Sequence, residues 1–567
     1  MLRTWAFWLT VLALTTASDL CATAAPPMAA DAIYWNGKFW TVNPAQPVAD
    51  SIAVWRDRIF AVGTNDEMRQ LAGPRTRIVD LHGRRAVPGF YDSHLHLLGG
   101  GMQLSQVDLR YAKDEAEFGQ KLRAFDQNYP RDRWMLGGDW DHDRTFGGQL
   151  PSAELLDRYV PGRPVFLRRY DGHMGVVNGR VLKLANITAK TPDPKGGVID
   201  RKPDTGEPTG ILRDNAMDLI DGLVPPPSDQ QIAEGVQKAL VEIGRAGITS
   251  VQDMEGSGPA TRRKLLRHYQ ELARTGRLTA RIDIRWPLAD WNALAALGIE
   301  AGFGDDWVRI GGVKGFADGS LGSSTAKMYE PYLNQTAGTG VFVTPREKLG
   351  EYIQAADSAG ISVAVHAIGD RANGELLDIF AEAQKRNGPR DRRFRIEHAQ
   401  HLRPQDYQRF KELGVIASMQ PYHAIDDGRW AEGRIGPERC ASSYAFRSLL
   451  DNGAHLAFGS DWAVAPLSPL LGIDAAVNRR TLDGKHPSGW FPEQSIGVAE
   501  AIDAYTLTSA YAAFQENDRG SIVPGKLADF VVLSRDILAP VEKDHLAETQ
   551  VVMTVVGGKV VFQESGK

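Results

Sequence analysis

Through the middle of the chain, short apolar and β-branched runs alternate with stretches whose apolar positions recur at helix spacing. The strand-length runs are Ile248–Gln252, Arg281–Trp286, Val308–Phe316, Ile361–His366, Phe394–His398, Val415–Met419 and His455–Gly459, with one more ending near Phe90. Helical periodicity fills most of the gaps, at Gln230–Arg245, Arg262–Thr275, Leu349–Ser358 and Gly374–Arg386. Glycines follow several of these stretches, at Gly247, Gly360 and Gly388, as at left-handed helix ends. Eight strands separated by helices predict an α/β chain closed into a parallel (β/α) barrel. The stretch between the first two strands is too long for one helix, so residues 99–227 are expected to form an insertion over the barrel mouth.

The ends of the chain read differently. Residues 31–87 carry short strand-like runs at Ala32–Trp35, Ser51–Trp55, Arg58–Val62 and Thr76–Asp80. Residues 520–567 repeat the pattern at Phe530–Leu533, Val551–Val556 and Lys559–Phe562. Neither set makes a stable sheet layer alone, so the two ends are expected to join in one split β-sandwich beside a barrel of residues 88–515. Ahead of them, Arg3, the apolar run Trp5–Leu14 and Ala22-Thr23-Ala24 stand in the order of a secretory signal peptide cleaved after Ala24. The run is too short to span a bilayer. The mature protein is therefore expected to be periplasmic or secreted, with no membrane anchor. Cleavage removes Cys21 and leaves Cys440, whose neighbours offer no activating base.

Composition narrows the partners. The 567 residues hold 65 Lys and Arg against 70 Asp and Glu, a net charge of −5, so there is no basic footprint for a nucleic acid. A hydrophobic content of 43% excludes a disordered chain. A small-molecule substrate is the expected partner; a homo-oligomer is left open. The run Gly99-Gly100-Gly101 is not a phosphate loop, because no Lys-Ser/Thr follows it, and reads as a tight backbone exit beneath the insertion.

The candidate chemistry sits where a parallel barrel displays it, at the C-terminal strand ends. There lie His94 and His96 after the first strand, Lys314 in the fourth, His366 and His398 after the fifth and sixth, and Asp461 after the eighth. Two histidines two apart on an extended segment point the same way and can face one metal. Imidazoles with a carboxylate suit zinc or a similar divalent ion. Lys314 is the odd member: an ammonium repels a cation. It is read either as a lysine carboxylated by carbon dioxide, which would bridge two ions, or as one holding a substrate carboxylate, the first being preferred.

Together with these positions, several stretches carry a resemblance. They are Val87-Pro88-Gly89-Phe90-Tyr91-Asp92-Ser93-His94-Leu95-His96, Asp171-Gly172-His173, Lys314-Gly315-Phe316-Ala317-Asp318-Gly319-Ser320, His366-Ala367-Ile368-Gly369-Asp370, Ile396-Glu397-His398-Ala399-Gln400 and Gly459-Ser460-Asp461-Trp462. As a set they resemble the amidohydrolase superfamily, more narrowly the YtcJ-like amidohydrolase family 3 group, over essentially the whole mature chain. The resemblance implies a metal-dependent hydrolase of non-peptide C–N bonds with one or two ions, two being favoured. It implies that His94 and His96 bind one ion, shared with Asp461, and that His366 and His398 bind the second, with carboxylated Lys314 between.

A bound metal polarises the scissile carbonyl and activates water. Asp461 would take the proton and pass it to the leaving nitrogen, and His173 could donate to the developing oxyanion. His142, from the insertion, and His423, after the seventh strand, are further candidates to line the substrate pocket, although a polar loop explains His142 equally well. Trp134, Trp140, Phe146 and Phe166 hint at an apolar part of the substrate, with core packing the commoner use of such residues. A deaminase of cyclic amidines and a non-catalytic exported binding or regulatory protein are the competing readings. Intact metal ligands count against the second of these.

Overall fold

The computed structural model describes residues 29–129, 131, 133–254, 256, 258–333 and 338–564. The expected signal peptide, residues 1–24, lies outside them. Eight parallel strands form the barrel: β1 (Phe90–Leu95), β2 (Ile248–Asp253), β3 (Arg281–Pro287), β4 (Val308–Phe316), β5 (Val363–Ala367), β6 (Arg395–His398), β7 (Ile416–Met419) and β8 (His455–Phe458). Each pairs in parallel with the next, from β1 to β8. The seam between β8 and β1 is joined at the mouth. Asp461 N–H donates to His94 O (2.7 Å), and His96 N–H donates to Trp462 O (2.6 Å). The first strand begins at Phe90 rather than ending there, so His94 lies inside β1 and His96 just beyond it.

Helices fill the outer ring because each offers one apolar stripe to the sheet. The helix Asp229–Arg245 buries Ile232, Val236, Ala239, Leu240 and Ile243 and opens with a reciprocal Ser228–Gln231 cap. The Gly99-Gly100-Gly101 run is helical, within Leu97–Gln103, rather than a loop. Its glycines are needed for approach: a Cβ on Gly101 would sit 1.9 Å from Gly235 O, and one on Gly100 would sit 2.4 Å from the Trp462 ring.

Residues between β1 and β2 build a separate six-stranded sheet, in the order Gly197–Arg201, Pro208–Asp214, Met174–Val177, Phe166–Arg169, Gly137–Trp140, Val107–Asp108. It has its own apolar cores, and these absorb Trp140 and Phe166, with Trp134 and Phe146 packed against them. The chain ends meet in two facing sheets. One holds Ala32–Trp35, Ser51–Trp55, Arg58–Gly63 and Arg77–Asp80. The other sets Arg85–Pro88 beside Phe530–Leu533, Val551–Val556 and Lys559–Gln563. Tyr34 and Phe530 meet edge to face between them, ring centroids 4.7 Å apart. A buried Arg281–Asp529 pair (2.7 Å) ties this layer to β3. Cys440 is buried and free. Among the described residues no helix is long and apolar enough to cross a membrane.

Candidate metal centre

The parallel direction of the strands brings residues far apart in sequence to one end of the barrel. Both His94 and His96 turn to the same side, and their Nε2 atoms stand 3.4 and 3.3 Å from Asp461 Oδ1. Asp461 reaches this position through a left-handed turn (φ 57°) just past β8, fixed by its own N–H on His94 O. His398 ends β6, also left-handed (φ 76°), and its ring centroid lies 4.8 Å from that of His94 and 4.5 Å from that of His366.

A hydrogen bond behind the ring decides which nitrogen of His94 faces inward: Nδ1 donates to Glu397 Oε2 (2.6 Å). His398 Nδ1 lies 2.7 Å from Gln420 Oε1 and 3.9 Å from Asp461 Oδ2. Burial, reinforced by the charge of Lys314, pushes His94 down to about 4. A neutral His94 with its proton on Nδ1 presents a bare lone pair at Nε2. Opposite it stands a carboxylate: burial pushes Asp461 up, but His94, His96 and His398 hold it well below the ordinary range. His94 Nε2, Asp461 Oδ1 and His423 Nε2 are buried without a hydrogen-bond partner among the described residues. Buried lone pairs facing one another are costly unless a cation lies between them. The residues therefore fit a divalent metal, and do so by their chemistry as well as their position.

Two compact groups at the barrel mouth can hold such an ion, His94, His96 and Asp461, and His398, His423 and Asp461, with ligand atoms within 4.8 Å of one another in each; a third group, Asp141, His142 and Asp143, lies in the insertion. His423, read from the sequence as a substrate contact, joins His398 and Asp461 in the second group. His366 is adjacent but outside both groups, and its Nε2 donates to Gly319 O (3.0 Å). Lys314 is buried at the same end and lines the same cavity. Burial, opposed by Glu397 and Asp461, lowers its ammonium to about 8.

Residues that sequence reasoning did not single out support this set. Glu397 is fully buried between His94 and Arg395, whose guanidinium lies 2.8 Å away. Burial works against its charge, yet Arg395, His94 and Lys314 hold it down to about 2. Asp318 accepts three backbone N–H bonds, from Lys327, Ile368 and Gly369, and so fixes the loop after β5 that follows His366.

A cavity of ≈ 150 Å³ opens onto these groups. One wall comes from the insertion, with Arg169, Tyr170, Asp171 and His173; the apolar lining is Phe316, Leu321, Ile368, Trp430 and Val464. His173 Nδ1 donates to Asp214 Oδ1 (2.9 Å), and its ring lies 6.4 Å from that of His366. Burial disfavours its charge, but the Asp214 bond and the nearby Asp171 raise it above the usual histidine range. His142 does not line the cavity. Its Nδ1 accepts from Arg169 Nε (3.3 Å), so it meets the site only through that arginine.

Comparison with known proteins agrees with this geometry. An amidohydrolase family model matches residues 77–562. The chain is 40% identical to Protein LONG AFTER FAR-RED 3 of Arabidopsis thaliana, covering 98% of this chain and 94% of that protein. It is 32% identical to the putative amidohydrolase YtcJ of Bacillus subtilis (94% and 99%). It is 27% identical to N-substituted formamide deformylase of Arthrobacter pascens (94% and 99%). Its fold is similar to that of an uncharacterized metal-dependent hydrolase from Pyrococcus horikoshii, with TM-score 0.73, 30% identity, and coverage of 91% and 99%. Barrel, strand-end cluster and these likenesses agree: the chain belongs to the amidohydrolase family, as a metal-dependent hydrolase.

Proposed function

We propose that this hydrolase cleaves a non-peptide C–N bond of amide type. The observation that carries the reading is the convergence of His94 Nε2 and Asp461 Oδ1 as unpartnered lone pairs on a cavity wall. The full-length likeness to a formamide deformylase supports an amide as the bond attacked. His94, His96 and Asp461 would hold one divalent ion, zinc being the natural choice for this donor set. His398 and His423 would hold a second with Asp461, beside His366 and Lys314. When bound, the metal supplies Lewis acidity to the carbonyl and lowers the pKa of water.

The chain's own groups do the rest. Asp461 accepts a proton from water at its carboxylate and delivers it to the departing nitrogen. Asp214 accepts from His173 Nδ1 and, with Asp171, favours the protonated ring, so that Nε2–H can donate to the developing oxyanion. The apolar lining keeps bulk water from the reacting atoms. We further propose that residues 1–24 export the protein. A mature form beginning at Ala25 supports that, and one retaining the leader overturns it.

The test is metal content per chain for wild type, His94→Ala and Lys314→Ala, together with turnover of N-substituted formamides and acetamides. Near two ions in wild type, falling in both variants, with amide turnover, supports the reading. No metal and no turnover under metal-replete conditions overturns it.

A further inference from the structure

Four carboxylates line the cavity: Asp171, Asp426, Asp427 and Asp461. Two of them have an arginine partner, and a third faces the histidines of the metal centre. Asp461 faces the histidines. Asp171 Oδ2 is 2.7 Å from Arg169 Nη1. Asp426 is 3.1 Å from Arg110 and also pairs with Arg429. Asp427 has no ion pair among the described residues. Arg169 and Arg429 act on its charge, but each is bound to a nearer carboxylate. Among the described residues, the one side-chain bond it receives is from Tyr444 O–H to Oδ2 (2.6 Å).

A largely buried carboxylate without a cation is costly. Here burial, only partly offset by the Tyr444 bond and reinforced by Asp426, pushes the group up to about 7. The residue lines the cavity. The helix Pro421–Asp427 sets the distance to the chemistry. His423 and Asp427 are four apart, so they share one helix face, about 6 Å apart along the axis. His423 Nε2 is 3.8 Å from Asp461 Oδ2. Asp427 therefore stands one helical turn from the metal-ligand cluster, beside the flat wall of Trp430.

We infer that Asp427 determines specificity by receiving a protonated amino group of the substrate, about one helical turn from the scissile bond. The substrate class is then an amide bearing a remote primary or secondary ammonium. This rests on the amide-hydrolase reading above, and the experiment separates the two.

Kinetics are measured on a matched pair, N-(4-aminobutyl)formamide and N-pentylformamide, with wild type, Asp427→Asn and Tyr444→Phe. Butylammonium and 1-butanol are titrated calorimetrically into the same proteins. The expected result is a KM about tenfold lower or more for the cationic amide in wild type and in Tyr444→Phe, as a charge-assisted bond provides. In Asp427→Asn, which keeps an acceptor for Tyr444, the two amides converge in KM. Equal KM values in wild type, or a preference that survives Asp427→Asn, overturn the inference. If no amide turns over, butylammonium binding that is lost in Asp427→Asn still supports it while the hydrolase reading falls. Equal binding of amine and alcohol overturns it whatever the turnover.

Discussion

At the mouth of the barrel, beside the buried Lys314, the polar groups gathered are lone-pair holders: the imidazoles of His94, His366, His398 and His423 and the carboxylate of Asp461. Within the strands below, they are donors answered by the chain itself. Arg285 donates to Gln252 Oε1 (2.9 Å) and Ser362 Oγ (3.1 Å). Arg395 donates to Ser93 O and Ser418 Oγ (2.8 Å each), and also to Gln252. The chain itself answers the Nη groups of Arg285 and Arg395, though not their Nε atoms or the Asp283 oxygens, and neither arginine lines the cavity, so the lower cluster is structural. The upper one turns lone pairs without a hydrogen-bond partner onto the cavity and so is a site. Glu397 belongs to both, with one oxygen on Arg395 and the other on His94.

Asp461→Asn should break the mouth most severely. It removes the proton acceptor and a shared ligand, so turnover should fall about a thousandfold or more. The metal-free protein should lose nothing: the new amide N–H can donate to His94 Nε2, a gain of about 0.5–1.5 kcal/mol. Bound metal, turnover and urea unfolding after chelation check both halves. A metal-free variant clearly weaker than wild type would mean that the mouth is structural after all.

Arg395→Met should do the reverse. It leaves Glu397 buried without its cation, which costs about 3–5 kcal/mol whether or not metal is present. Unfolding curves with and without metal measure it, and a loss appearing only in the metal-loaded protein would erase the distinction between the two clusters. Glu397→Gln tests the bridge. It frees His94 to choose its tautomer, so metal affinity should fall about 10–100-fold while the ion count at saturation is kept. Competition with a chelator reads this directly; an unchanged affinity would show that Glu397 serves only Arg395.

Much of the mouth was legible in the sequence because parallel strands deliver their C-terminal ends to one place. That single rule gathers His94, His96, Lys314, His366, His398 and Asp461 from across the chain. What it cannot show is what the local backbone does at those ends. Glu397 and His398 are adjacent on β6, and strict alternation would send them to opposite faces. The left-handed turn at His398 and Ala399 (φ 76° and 45°) lets both serve the centre. Asp214 lies 41 residues from His173 on a neighbouring strand of the insertion, and no spacing rule pairs them. The insertion's sheet was missed because its strands are short, Val107–Asp108 having two residues, while its existence followed from length alone. His423 was visible as a residue after the seventh strand, but its reach depends on the helix that follows Gln420.

His401 supplies the control with the smallest effect at neutral pH. It is a buried imidazole outside both metal groups, bonded at Nδ1 to Ser443 Oγ (2.6 Å). Burial, helped by Arg439, pushes it from 6.5 down to about 3. The folded state therefore refuses a proton that the unfolded chain accepts below 6.5. Stability is full above that value and is lost progressively as the pH falls toward 3. In His401→Gln, stability at pH 7 should change by less than about 1 kcal/mol. Its acid slope should be shallower by up to one proton, about 1.4 kcal/mol per pH unit. Metal should leave this difference untouched, since no ion reaches His401, whereas the slope contributed by His94 and His398 should change on loading. Unfolding curves from pH 7 to 4, with and without metal, separate the two. If metal abolished the His401 difference, the boundary of the acceptor cluster would have to be redrawn to include it.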